Sequence, residues 1–238
     1  MNRQVVVQVR AELPHGMSSG RPWGPSLDGI LAAVIWRRCK AEAALRGEVL
    51  TYDPAAGSPP DMDLPLARCT LSSVWHWQCT FGRLDSPAGL DPRIRTRRTD
   101  HAALQRLSAE IPKGVHDSRG HYRKRVVPAL ASVSTAATWW AVGDPDRLRL
   151  LLGEVPAIGK HRNSGEGRVS EWTVREMPGL DEWCAGHMHE PRLLGRSAAP
   201  ECVKDQLADL RHGGRARFGV RAPYAHPSRH VDAYLPGE

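Results

Sequence analysis

Two junctions of one kind most constrain what this chain can fold into. Each is a β-branched or aromatic run followed by a helix-capping residue. Residues 4–12, QVVVQVRAE, read as a strand. After a Gly/Pro/Ser-rich stretch, 14–26, that reads as a loop, Ser26 caps a helix. That helix carries Leu27, Ile30, Leu31, Val34 and Ile35 at helical spacing, runs to about Arg46 and stops at Gly47. The second junction follows a predicted strand at 132–142 that ends in TWWAV. Asp144 caps a helix there, with Pro145 at its first position and Leu148, Leu151 and Leu152 on its apolar face. A strand is expected downstream of each helix. One is at 71–81, where Trp75, Trp77 and Cys79 alternate with His76 and Gln78; the other is RVSEWTVRE, 168–176.

The resulting order, β-α-β-insertion-β-α-β, predicts an α+β fold with a ferredoxin-like (RRM-like) βαββαβ core. The insertion, 82–125, falls between the second and third strands. Its first part, 82–99, reads as loop, and a short helix is expected after Asp100. Residues 1–178 form the expected domain. Residues 179–238 form a loop-rich C-terminal extension packed on it, with one helix at 201–211. The 22 glycines and 19 prolines among 238 residues agree with many loops on such a frame. Topology of this kind hosts many activities and selects none.

Charge is more selective. Lys and Arg number 33 against 26 Asp and Glu, a formal +7. Between Asp91 and Leu130 stand ten basic residues and four acidic ones, so the insertion holds +6 of that excess. A focused positive field suits a polyanion, with a solvated basic face as the plain alternative. Arg95, Arg97 and Arg98 lie in the RIRTRR run. Tyr122, Arg123, Lys124 and Arg125 combine a stacking ring with phosphate-holding cations. No apolar stretch reaches the roughly 18 residues of a membrane span, and no signal peptide is legible. Five cysteines without a CxxC pair fit a reducing compartment, and the expectation is a soluble cytoplasmic protein with no membrane partner.

The segment IGKHRNSGEGRVSEWTV, 158–174, gathers Gly159, Lys160, His161, Arg162, Asn163, Ser164, Gly165 and Gly167. Glycines admit close backbone approach to a phosphate, and Lys and Arg supply charge. It is neither a P-loop nor a dinucleotide fingerprint, and a plain turn before the last strand is the alternative. Trp23, in a Gly/Pro loop, is a further stacking candidate. Cys184, His187, His189 and Cys202 match no standard zinc spacing, so no metal and no cofactor is expected. His116 is a further general-base candidate; His121 with Tyr122, or His161 with Lys160, fits the acid–base pair of a metal-independent ribonuclease, which is the alternative to a non-catalytic reading.

The blocks GPSLDGILA (24–32), GHYRKRVVP (120–128), GDPDRLRLLL (143–152), IGKHRNSGEGRVSEWTV (158–174) and RAPYAH (221–226) together resemble the Cas-five-type subunit of type IV CRISPR effector complexes. The resemblance implies an RNA-binding structural subunit that holds the 5′ handle of the guide (CRISPR) RNA. It implies partners too: Cas-seven-type backbone subunits, whose filament it caps, the large subunit and, through the guide, the target nucleic acid. The glycine-rich residues 159–165 and 167 become the RNA-contacting loop. Tyr122, Arg123 and Lys124 match the family's Gly-x-Tyr-Lys-like block, with Arg123 where lysine is expected. The insertion becomes a thumb touching RNA and the neighbouring subunit. Glu166, acidic inside a phosphate-facing loop, is expected to turn away or pair with Arg162 or Arg168.

Overall fold

The computed structural model describes residues 3–19, 21–52, 57–85, 90–97, 100–107, 118–119, 123–160, 162 and 165–238. Strand β1 (Val5–Ser19) is followed by β2 (Trp23–Ser26) and helix α1 (Leu27–Leu45). Next come the short strands β3 (Arg68–Cys69), β4 (His76–Trp77) and β5 (Phe81–Leu84). The insertion holds β6 (Leu90–Arg97) and α2 (His101–Leu107). Then β7 (Arg125–Gly143), α3 (Pro145–Leu152) and β8 (Glu171–Glu176) complete the main sheet. The C-terminal part contains α4 (Glu182–His187), β9 (Met188–Glu190), β10 (Leu193–Leu194), α5 (Pro200–Val203), β11 (Arg215–Gly219) and β12 (His230–Tyr234).

The architecture is mixed α and β around one antiparallel sheet of order β2-β5-β7-β1-β8, with β6 paired to the first part of β7. Both expected junctions are present. The Ser26 hydroxyl accepts from the Gly29 amide at 3.2 Å, and the chain leaves α1 at Gly47 with φ +74°. Asp144 accepts from the Asp146 and Arg147 amides at 3.0 and 3.1 Å, with Pro145 at the first helical position. The apolar sides of α1 and α3 (Leu27, Leu31, Val34; Leu148, Leu152) cover the face of the sheet that carries Val7, Val9, Ala11 and Trp139. Trp139 is fully buried, and its indole N–H donates to the Pro25 carbonyl at 2.8 Å, which satisfies the polar tip that burial would otherwise orphan.

Several element bounds differ from the sequence reading. The expected loop 14–26 is mostly strand: β1 passes through a bulge between Glu12 and Met17, where Gly16 takes φ +67°, and resumes pairing with β7 as far as Ser19. The expected strand 71–81 reduces to β4 and β5, because 71–74 bend away. The RIRTRR run is not loop; through Arg97 it forms β6, whose backbone partner is the newly extended start of β7 at 125–132. Arg123 and Lys124 precede that strand. The helix expected at 201–211 is the single turn α5 plus a 3₁₀ turn at Leu207–Asp209. Among the described residues no helix is long and apolar enough to cross a membrane.

The C-terminal residues have a small core of their own, in which Leu194, Ala198, Val203 and Tyr234 pack with Cys69. Polar ties hold them to the sheet. Fully buried Asp28, in the first turn of α1, accepts from the Tyr224 hydroxyl at 2.8 Å and the Ala222 amide at 3.2 Å. Removing a carboxylate that satisfies two donors strands both of them. Asp28→Ala is therefore expected to lower the unfolding free energy by about 2–3 kcal/mol, and Tyr224→Phe, which loses one hydrogen bond, by about 1 kcal/mol. Urea denaturation of the two variants measures both, and equal midpoints would contradict the assignment.

Candidate nucleic-acid interface

The glycine-rich segment is pinned at its base. Ile158 N–H donates to Gly167 O at 2.8 Å, Gly167 N–H to Gly16 O at 2.9 Å, and Val169 N–H to Pro156 O at 2.9 Å. The bulge in β1 thus provides the platform on which the loop closes. Gly159, Gly165 and Gly167 all have positive φ, at +80°, +88° and +68°. They are not equivalent. A Cβ on Gly167 would stand 2.0 Å from Ile158 O, and one on Gly159 2.6 Å from the Met17 sulfur, whereas one on Gly165 meets open space. Two glycines therefore permit close packing and the third serves the turn.

The amides of Gly165 and Gly167 are engaged internally, the first with Arg162 O at 3.2 Å. What the segment offers outward is side chains: Lys160 and Arg162 are exposed, while Glu166 is turned inward and only 6% exposed. His161, Asn163 and Ser164 lie outside the described residues.

Beside this loop opens a groove of about 730 Å³, walled by the end of β1, by β2, by one side of α1 and by the segment 155–162. Trp23, Trp36 and Phe81 line it, together with Arg21, Arg37, Lys160 and Arg162, and among the described residues its lining includes no carboxylate side chain. Trp23 meets Phe81 edge-on, with ring centroids 6.4 Å apart, and its buried indole N–H has no hydrogen-bond partner. The Lys40 ammonium stands 5.7 Å from the Trp36 ring. Flat rings beside cations, with no anion to repel a phosphate, are the combination that single-stranded nucleic acid requires. The sequence reading marked Lys160, Arg162 and Trp23. It passed over Trp36-Arg37, whose signal was an aromatic next to a cation on the less apolar side of a helix.

The second basic surface is the ribbon of β6 and β7. Positions 93, 95 and 97 alternate along β6, and the register sets Arg97 directly opposite Arg125. Like charges opposed across strands are destabilising by themselves. Arg123, Lys124 and Arg125 are exposed; on the other register positions Ile94 and Val126 are also exposed, at 72% and 67%. Arg98, His116, His121 and Tyr122 lie outside the described residues. The metal-ligand set read from sequence does not assemble: His187 and Cys202 meet Cys69 and His76, without Cys184.

The family model described as CRISPR type IV associated protein Csf3 matches residues 7–202, from β1 to α5. The chain belongs to the Csf3 family. Csf3 is the Cas-five-like subunit of type IV systems, so the family resemblance seen in the sequence holds. The Csf3-family chain is also 25% identical over 178 residues to tRNA pseudouridine synthase A of Synechococcus sp. (strain CC9605), covering 67% of this chain and 54% of that protein. It thus spans about half the length of that curated relative.

The packing predicts unequal effects of substitution in the loop. Gly167→Ala, which meets a backbone oxygen, should lower stability by more than about 2 kcal/mol. Gly165→Ala, which has only its positive φ to accommodate, should lower it by about 1–2 kcal/mol. Chemical denaturation separates the two.

Proposed function

We propose that this Csf3-family chain is an RNA-binding, non-catalytic subunit of a type IV CRISPR ribonucleoprotein, holding the 5′ handle of the guide RNA and capping the backbone filament. The observation that carries this reading is the groove, which aromatic rings and four cations line together. Family membership places Csf3 proteins in the type IV effector complex, with Cas proteins as partners. A relative named for tRNA agrees with an RNA ligand. The core supports the reading also. Strands β1, β5, β7 and β8 with helices α1 and α3 run in the order β-α-β-β-α-β, and β1 lies between β7 and β8, as a ferredoxin-like domain requires. Residues 1–178 are this domain, 82–125 its insertion and 179–238 an extension upon it.

The mechanism divides the work. Lys160, Arg162, Arg21 and Arg37 hold phosphates, and Trp23 and Trp36, backed by buried Phe81, offer stacking surfaces to unpaired handle bases. The ribbon is the thumb: Arg95, Arg97, Arg98, Tyr122, Arg123, Lys124 and Arg125 reach along the RNA, and exposed Ile94 and Val126 meet the neighbouring Cas-seven-type subunit. Base pairing by the guide, not this chain, selects the target. The complex works in the prokaryotic cytoplasm.

Lys160→Ala with Arg162→Ala should weaken guide-RNA binding and reduce the slope of log affinity against log salt by about 1.4, two single-strand phosphate contacts at roughly 0.7 each. Trp23→Ala or Trp36→Ala should weaken binding by about 1–3 kcal/mol per lost stack while leaving that slope unchanged. Filter binding or fluorescence anisotropy across a salt series reads both. Wild-type affinity and slope in the double variant would overturn the groove assignment, and cleavage of repeat RNA in EDTA would overturn the non-catalytic reading.

A further inference from the structure

Apart from the groove, one buried cluster is left without a role. Cys69 and His76 are direct cross-strand partners in the β3–β4 pair, His187 ends α4, and Cys202 lies in α5. All four are sealed from solvent, at 2%, 0%, 0% and 3% exposure. Ligand atoms of Cys69, His76 and Cys202 lie within 4.8 Å of one another. His187 completes the group: its Nε2 is 2.9 Å from His76 Nε2, and its ring contacts the Cys69 thiol. Three donors thus share one small space, and the fourth, His187 Nε2, stands beside it against His76, the four coming from three separate stretches of chain.

Several features exceed what an ordinary core would show. The cysteines are free thiols, and two imidazoles face each other nitrogen to nitrogen in a dry interior. His76 Nδ1 is buried with no hydrogen-bond partner, which native interiors rarely tolerate. His187 Nδ1 donates to the Trp183 carbonyl at 2.8 Å, and its ring stacks on the Trp183 indole with centroids 4.8 Å apart. That bond fixes the tautomer with the Nε2 lone pair free and aims it, as outer partners of metal-bound histidines do.

We propose that Cys69, His76, His187 and Cys202 form a closed structural zinc site that fastens the C-terminal extension to the β3–β4 pair. The dimensions agree. Zinc with bonds of about 2.0–2.1 Å to nitrogen and 2.3 Å to sulfur sets tetrahedral ligand atoms about 3.3–3.8 Å apart; the His76–His187 pair at 2.9 Å must spread slightly, and Cys69, His76 and Cys202, within 4.8 Å of one another, need at most to close by about 1 Å. The charge agrees as well: two thiolates neutralise Zn²⁺, and an uncharged centre is suited to full burial. Four protein ligands leave no open position, so the site holds structure and does no chemistry. Two thiolates with two imidazoles in tetrahedral array select zinc over the oxygen-seeking Mg²⁺ and Ca²⁺.

The test is elemental analysis of the intact chain purified without chelators, followed by exchange into Co²⁺. One zinc per chain is expected, with the intense visible bands of tetrahedral cobalt and a thiolate charge-transfer band after exchange. Cys69→Ser and Cys202→Ser should each reduce bound zinc at least tenfold, while Cys184→Ser retains it. The cobalt spectrum is read on the wild-type protein, so it does not depend on the variants folding. A wild-type chain without zinc and without a tetrahedral cobalt spectrum overturns the site, as do full zinc occupancy in Cys202→Ser and stoichiometric iron in place of zinc.

Discussion

The guanidinium of Arg196 is the contact on which most of the arrangement depends. It is fully buried, and it donates to the carbonyls of Trp77, Cys79 and Val220 and to that of Ser197. A sealed cation is tolerable only when its donors are filled, so the main chain around it has little freedom. The stretch between β4 and β5 is fixed from inside. The adjoining Gly195 then accepts from the Phe81 amide and donates to the His187 carbonyl, at 2.8 and 2.7 Å. One residue of the C-terminal part thereby sets Phe81 in the groove wall and the end of α4. Tyr224 packs against Phe81 at 5.3 Å between centroids, and Phe218 lies under Arg21 at 5.4 Å. The extension is a support of the groove rather than an appendage.

Two cationic surfaces therefore rest on different foundations. The groove is backed by the sheet, α1 and the extension, which fix its aromatic rings. In the ribbon of β6 and β7 the register opposes position 97 to position 125. Its electrostatic penalty falls when an anion is present.

Much of the frame was legible because its signals are local. Ser26, Gly47, Asp144 and Pro145 each act within four residues, and each does in the structure what its chemistry predicts. The bulge was not legible: Pro14 and Gly16 read as loop, and only the burial of Leu13 and Met17 on either side shows that β1 continues. Strand β6 was hidden because its alternation is of arginine with small or branched residues, so it has no apolar face toward a core. The groove was half legible. Trp23 and Lys160 stood out individually, but nothing local joins Trp36 to Phe81. The Cys/His quartet was least legible, since positions 69, 76, 187 and 202 share no motif and meet only through the tertiary fold. The nearer combination of Cys184 and His189 with His187 drew attention instead.

The closed base of the glycine-rich loop has a consequence for how the family can diversify. Ile158 and Gly167 are held to each other and Gly167 to Gly16, so the strain of any insertion between 159 and 165 stops at that pair of hydrogen bonds. Related chains can lengthen, shorten or recharge the loop without moving β8 or the core behind it. The tip can thus vary while the base stays under strict steric selection, and variation among relatives should break sharply at Gly167.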